Sequence, residues 1–222
     1  VTKPLDYIVT HSGREVSLTR GVPSIEDLAL SLSRQPRFGG MCRRHWTVVD
    51  HSLFTALLAQ RDGQPATVQM ACLLHDAHEW TGDIPTHFKH PAQRQLQRML
   101  DFSIFHEYAD ASYGVTTKEY DSRALLAEAV VVGPPAFKTT NDVLEHFGKR
   151  PRLRDVVALI KGIEHGDLGV NPSELLYLHD ARNTRAFIAK VLILQSRIKQ
   201  ETTAVRHSEP QGFVANEIKG EA

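Results

Sequence analysis

An all-α domain with one small β-hairpin at its N-terminus is the fold this sequence predicts, and three observations predict it. Two capping boxes, Ser24-Ile25-Glu26-Asp27 and Thr47-Val48-Val49-Asp50, stand directly ahead of apolar runs. Gly and Pro fall where those helical runs end. Strand-like segments around a Ser-Gly turn are confined to the first twenty residues.

The elements follow in order. Residues 6–10 and 15–18 form the hairpin arms around Ser12-Gly13. Ser24 opens a helix through Leu28, Leu30 and Leu32 that stops before Pro36. Residues 37–45 are Gly-rich and basic and form a loop. Thr47 opens a second helix through Gln60, with Val48, His51 and Leu58 near one face. Gly63 and Pro65 break the chain, Thr67 caps the next helix, and that helix runs through Leu73 and Leu74 to about Trp80. Gly82 and Pro85 end it. A long helix covers 91–113 and closes at Gly114. Thr116 or Thr117 starts another through Asp121, Leu125 and Ala129, ended by Gly133-Pro134-Pro135. Residues 134–169 are less regular, with a helical stretch at 153–163. Asn171-Pro172-Ser173-Glu174 opens a last helix to about Lys199. The expected organisation is one domain over 1–200, with 134–169 as an insertion, and a polar tail over 201–222.

Composition narrows the function classes. The 222 residues carry 26 Lys plus Arg against 26 Asp plus Glu, so the net charge is zero. That balance argues against a general nucleic-acid coat or an anionic-membrane binder and allows a local basic pocket. No apolar stretch is long enough to span a bilayer and no signal-peptide pattern opens the sequence, so a cytoplasmic protein is expected. Cys42 and Cys72 fit neither a metal-binding spacing nor a disulfide framework, and Cys72 in its apolar run reads as a core residue.

Twelve histidines are the unusual count, several of them between His45 and His106. His51, the pair His75-Asp76, and Asp121 lie on three different expected helices, each apolar enough to be a core helix. Buried polar groups of this kind are costly, and metal coordination is one way to offset the cost. Two imidazoles and two carboxylates suit a divalent ion such as Co²⁺, Mn²⁺, Fe²⁺ or Zn²⁺. Such an ion polarises a phosphoryl oxygen and acidifies its bound water. On one helix His75 and Asp76 would stand about 100° apart, both within reach of an ion lodged between helices. Glu79 follows His75 by one turn, the place for a general acid or base, and Asp83 in the Thr81-Gly82-Asp83-Ile84-Pro85 turn shares that role. Arg37 and Arg43 before this centre and Lys89 after it are candidates for phosphate oxygens. Taken singly, His51 reads as a core histidine, Asp121 as a helix-surface charge, and Arg43-Arg44 as a solvated pair. His78, His87, His90, His106, His165 and His179 read as solvated or structural.

The ordered set Arg37-Phe38-Gly39-Gly40, His45-Trp46-Thr47-Val48-Val49-Asp50-His51-Ser52, Leu73-Leu74-His75-Asp76-Ala77-His78-Glu79 and Gly82-Asp83-Ile84-Pro85 resembles the HD-domain phosphohydrolases. More narrowly it resembles bacterial 5′-deoxynucleotidases and the phage dATP triphosphohydrolases that accompany 2-aminoadenine genomes. The second likeness extends to Leu5-Asp6-Tyr7-Ile8 and Ile25-Glu26-Asp27-Leu28-Ala29. The resemblance implies an HD-domain helical bundle with one divalent ion (Co, Mn, Zn, Fe or Mg) on His51, His75, Asp76 and Asp121. It implies that Glu79 positions or activates water, that Asp83 assists, and that Arg37 and Lys89 meet phosphate. It also implies a nucleotide substrate, dATP first among candidates, with a dNMP as the alternative, and a homo-oligomer. Three features depart from the pattern. Met41 stands where relatives commonly carry His, the step from Glu79 to Gly82 is one residue short, and 134–169 has no counterpart. A nucleotide-binding regulator without turnover is a rival reading that Glu79 and the intact ligand set disfavour. The absence of a His-Glu-x-x-His segment disfavours a metallopeptidase.

Overall fold

The structure is a computed structural model, and it describes residues 7–18, 21–82, 84, 89–109, 117–147 and 182–208. Those residues are mostly helical, with one antiparallel hairpin of β1 (Tyr7–Val9) and β2 (Glu15–Ser17), as expected. Tyr7 pairs with Ser17 and Val9 with Glu15, and Gly13 takes a left-handed conformation in the turn (φ 82°).

Helix α1 (Ile25–Leu32) starts at Ser24, whose hydroxyl accepts from the Asp27 N–H at 3.2 Å. Only half of the expected capping box forms there. The Asp27 carboxylate accepts instead from the backbone N–H of Ser12 at 2.9 Å and its hydroxyl at 2.6 Å, tying the hairpin turn to α1. Helix α2 (Val48–Arg61) carries the complete box, with Thr47 and Asp50 satisfying each other's backbone N–H groups at 2.7 and 3.3 Å.

Helix α3 (Ala66–Leu74) differs from expectation at both ends. Pro65 occupies the cap position, so Thr67 lies inside the helix. At the far end the helix stops at Leu74 instead of continuing to Trp80. Asp76 leaves helical geometry (φ −105°, ψ 14°), and a tighter 3-10 turn takes over from Ala77 to Thr81 before Gly82 (φ 120°). The imidazole of His75 donates to the Cys72 carbonyl at 2.8 Å, satisfying a carbonyl in the last turn.

Helix α4 (Pro91–Ala109) begins where expected, and its predicted closure at Gly114 lies outside the described residues. Helix α5 (Lys118–Val131) follows Thr117 and ends at Gly133. A Cβ on Gly133 would sit 2.4 Å from the Ala129 carbonyl oxygen, so only glycine fits this close pass of the chain. Helix α6 (Thr140–Phe147) lies in the segment expected to be irregular; Asp142 accepts from the Thr139 and Lys138 N–H groups at 2.7 and 2.8 Å. The expected helix at 153–163 and the expected start at 171–174 lie outside the described residues. Helix α7 (Arg182–Ser208) runs past Lys199, into the segment expected to be a polar tail. No Gly or Pro occurs between Arg182 and Ser208, and the Thr202 and Thr203 hydroxyls donate back to carbonyls of their own helix at 2.8 Å.

One core joins β2, α1 to α5 and α7, with Trp46, Phe54, Leu28, Leu73, Leu74 and Phe187 fully buried in it. Helix α2 packs against α3, α5 and α7, so its buried face is the axis of the molecule. Among the described residues no helix is long and apolar enough to cross a membrane.

Candidate metal centre

Three helices bring chemistry to one point. His51 projects from the first turns of α2 and is fully buried. His75 closes α3, and Asp121 projects from the first turn of α5. The Nε2 atoms of the two histidines stand 3.1 Å apart. Asp121 Oδ1 lies 3.5 Å from the first and 3.8 Å from the second. Asp76, released from the helix at Leu74, turns its Oδ2 to 3.6 and 3.3 Å from the same two nitrogens.

Hydrogen bonding on the far side of each ring explains why the nitrogens converge. His51 Nδ1 lies 2.8 Å from Glu128 Oε1 and His75 Nδ1 lies 2.8 Å from the Cys72 carbonyl oxygen. Both partners accept, so in each neutral ring the proton sits on Nδ1 and the Nε2 lone pair faces inward. Two lone pairs and two carboxylate oxygens at this spacing repel one another unless a cation stands between them. Ligand atoms about 2.1 Å from an ion lie about 3.0 Å apart in octahedral geometry and about 3.4 Å apart in tetrahedral geometry; the separations here start in that interval at 3.1 Å and extend beyond it to 3.8 Å. His51, His75 and Asp121 therefore form a group that can hold a metal ion.

Charge collects at the cluster: Asp76, Asp121 and Glu128 bring three carboxylates, faced by the Arg37 guanidinium and, from the exposed rim, the Lys118 ammonium. Burial and Arg37 both disfavour charge on His51, yet Glu128 and Asp121 outweigh them and raise its pKa. Burial opposes charge on His75 too, and Asp76 and Asp121 raise its pKa well above the usual imidazole range. Burial pushes the Asp76 and Asp121 carboxyls up, but the imidazoles, with Arg37 beside Asp76, hold both far below the usual range. Burial raises the Cys72 thiol to about 12, which fits an inert core residue.

Arg37 stands at the edge of the cluster. Its NH1 lies 3.2 Å from Asp76 Oδ2 and its NH2 3.7 Å from Glu128 Oε2. Burial opposes the guanidinium charge, while Glu128, Asp76, Glu79 and Asp121 favour it and raise its pKa further. The backbone that aims it is unusual. Phe38, Gly39 and Gly40 are successive left-handed residues (φ 53°, 60° and 78°). For a bulky Phe this costs on the order of 1–3 kcal/mol. The Phe38 ring packs towards Leu126, Ala129 and Val143, which offsets part of that cost.

The other expected site residues are placed differently. Glu79 is buried in the 3-10 turn, close enough for its charge to act on Arg37. Asp83 lies outside the described residues. Lys89 donates to the Gln97 side chain at 3.0 Å. Arg43 is spent on structure: its guanidinium donates to the Val130 carbonyl at 3.0 Å and to that of Phe137, closing the C-terminus of α5.

Two further groups, Glu128 and Lys118, lie outside the sequence reading, and His78 takes the structural role expected of it. Glu128 is fully buried beside His51 and Arg37, and its sequence signal is its place seven residues after Asp121 on one helix face. Lys118, exposed on the first turn of α5, donates to Asp121 Oδ2 at 3.1 Å. His78, read as solvated or structural, is buried with its Nδ1 2.8 Å from Asp101 Oδ1, an internal tie between the 3-10 turn and α4. No protein-family model matches this sequence, and neither does any curated protein.

Proposed function

We propose that this chain is a metal-dependent phosphohydrolase of the HD-domain class acting on a nucleotide, with dATP the first substrate to test. One observation carries the reading: the His51 and His75 Nε2 atoms stand 3.1 Å apart with Asp121 Oδ1 3.5–3.8 Å and Asp76 Oδ2 3.3–3.6 Å from them, beside the half-buried Arg37 guanidinium. The ordered motifs from Arg37 to Pro85 support it.

On this reading His51, His75, Asp76 and Asp121 hold one divalent ion. When bound, that ion supplies Lewis acidity towards a phosphoryl oxygen and lowers the pKa of water. The chain's own residues do the rest. Arg37 trades part of its pairing with Asp76 for a substrate phosphate oxygen, a bidentate partner of higher charge. Glu79, buried one turn beyond His75 and close to Arg37, takes the proton of the attacking water. Asp121 keeps Oδ1 towards the cluster while Lys118 engages Oδ2, which fixes the carboxylate plane.

The test is a panel of dNTPs and dNMPs with Co²⁺, Mn²⁺, Zn²⁺ and Mg²⁺, with products resolved as phosphate, pyrophosphate or triphosphate. Triphosphate release from dATP is expected. Phosphate release from a dNMP alone would move the assignment to a 5′-deoxynucleotidase. Tight nucleotide binding without turnover under any metal would overturn hydrolysis in favour of a regulatory binder.

A further inference from the structure

Glu128 is the buried group whose chemistry the proposed mechanism does not yet use. It sits two turns after Asp121 on the same face of α5, about 10.5 Å further along the axis. Helical side chains lean towards the N-terminus, so its carboxylate reaches back towards the cluster. Oε1 accepts from His51 Nδ1 at 2.8 Å and Oε2 faces Arg37 NH2 at 3.7 Å. The side chain is wholly excluded from solvent. A carboxylate in that position is costly to bury, and these two partners are what offset the cost.

We propose that Glu128 is the positioning residue of this site, one carboxylate that sets both the imidazole presenting Nε2 to the metal and the guanidinium receiving the phosphate. The inference rests on the metal-centre reading above. Its physical content is a coupling. Oε1 fixes the Nδ1–H tautomer of His51 and makes Nε2 a stronger donor. Oε2 holds Arg37 at the rim of the cluster, pairing charge that would otherwise oppose an incoming cation. Arg37 lies 3.2 Å from a cluster carboxylate, so its bare positive charge weakens cation binding unless Glu128 compensates it. Loss of Glu128 and loss of Arg37 therefore push metal affinity in opposite directions.

The experiment measures Co²⁺ affinity by visible absorption and inorganic tripolyphosphate affinity by calorimetry, on wild type, Glu128→Gln, Glu128→Asp and Arg37→Met. Glu128→Gln is expected to weaken Co²⁺ binding roughly 10- to 100-fold. It is also expected to weaken tripolyphosphate binding, while Arg37→Met leaves Co²⁺ affinity unchanged or higher. Glu128→Asp recovers part of the loss. Wild-type affinities in Glu128→Gln would overturn the inference alone. A wild-type protein that takes up no Co²⁺ would overturn the metal-centre reading and this inference with it. A measurement on the unaltered chain covers the case in which Glu128→Gln does not fold. In a long-range ¹⁵N–¹H spectrum of the zinc-loaded wild type, His51 is expected to carry its proton on Nδ1 with a strongly downfield shift. A proton on Nε2 would overturn the inference.

Discussion

Glu79 and Asp76 lie three residues apart, and their replacement is expected to fail in different ways. Glu79→Ala removes a carboxylate outside the proposed ligand set, so metal content and fold should persist while kcat falls roughly 10²–10⁴-fold. Asp76→Ala removes an oxygen 3.3 Å from His75 Nε2 and should lose the metal and the activity together. Metal analysis alongside steady-state kinetics separates the two, and full activity in Glu79→Ala would return water activation to Asp83 or the ion alone. Residue chemistry explains what was legible at this scale. His51, His75, Asp76 and Asp121 announce themselves because imidazoles and carboxylates on apolar helices demand partners, and the fold brings all four together. Glu128 did not, because one carboxylate on a helix usually faces water. The seven-residue step from Asp121 through the largely apolar run 124–131 was the available signal. Arg43 shows a second use of the same chemistry: a guanidinium suited to an anion is equally suited to the carbonyls at a helix end, and two of its nitrogens meet such carbonyls.

Helix starts were easier to read than helix ends, because a start is written in local capping chemistry and an end is often decided by tertiary contacts. The Thr47–Asp50 box was read correctly from four residues. The Thr139–Asp142 pair carries the same signal for α6, but it heads a run of only eight residues that closes soon after at Gly148, too short for the apolar period to show. The end of α3 was unreadable locally, since the apolar pattern continues through Ala77 and Trp80 while the chain tightens into a 3-10 turn. In the tightened turn Asp76 takes φ −105° and ψ 14°, and its Oδ2 stands 3.3 Å from His75 Nε2. The Thr47 box matters because it seats the helix that carries His51. Thr47→Ala should cost about 1 kcal/mol, within the 0.5–2 kcal/mol range for lost caps, read as a lower denaturant midpoint with an unchanged m-value.

For the whole molecule, acidity bears on the tie between the hairpin and the helical core. Burial pushes the Asp27 carboxyl up, but hydrogen bonds from Ser12, Thr10 and Ser24 outweigh it and hold its pKa below the ordinary value. A carboxyl lowered on folding stabilises the native state above its unfolded pKa of about 3.9, and that stability is lost as the pH falls towards the folded value. Asp27→Asn should therefore be less stable than wild type at neutral pH, with the gap closing below about pH 4. Urea midpoints at several pH values check this, and a gap independent of pH would remove Asp27 as the cause. A second tie crosses the molecule more widely: Asn183 on α7 donates to Asp50 at the start of α2, joining positions 133 residues apart. Asp50 adjoins His51, so the first turn of the helix that carries His51 is clamped by a side chain synthesised long after it. At translation speeds of about 5–20 residues per second, the interval between making Asp121 and making Asn183 is roughly 3–12 seconds. Throughout that interval the nascent chain already carries every proposed ligand while lacking the helix that braces them. On the proposed reading, an ion captured then would meet a looser cage than the finished one, and helix α7 would close it last.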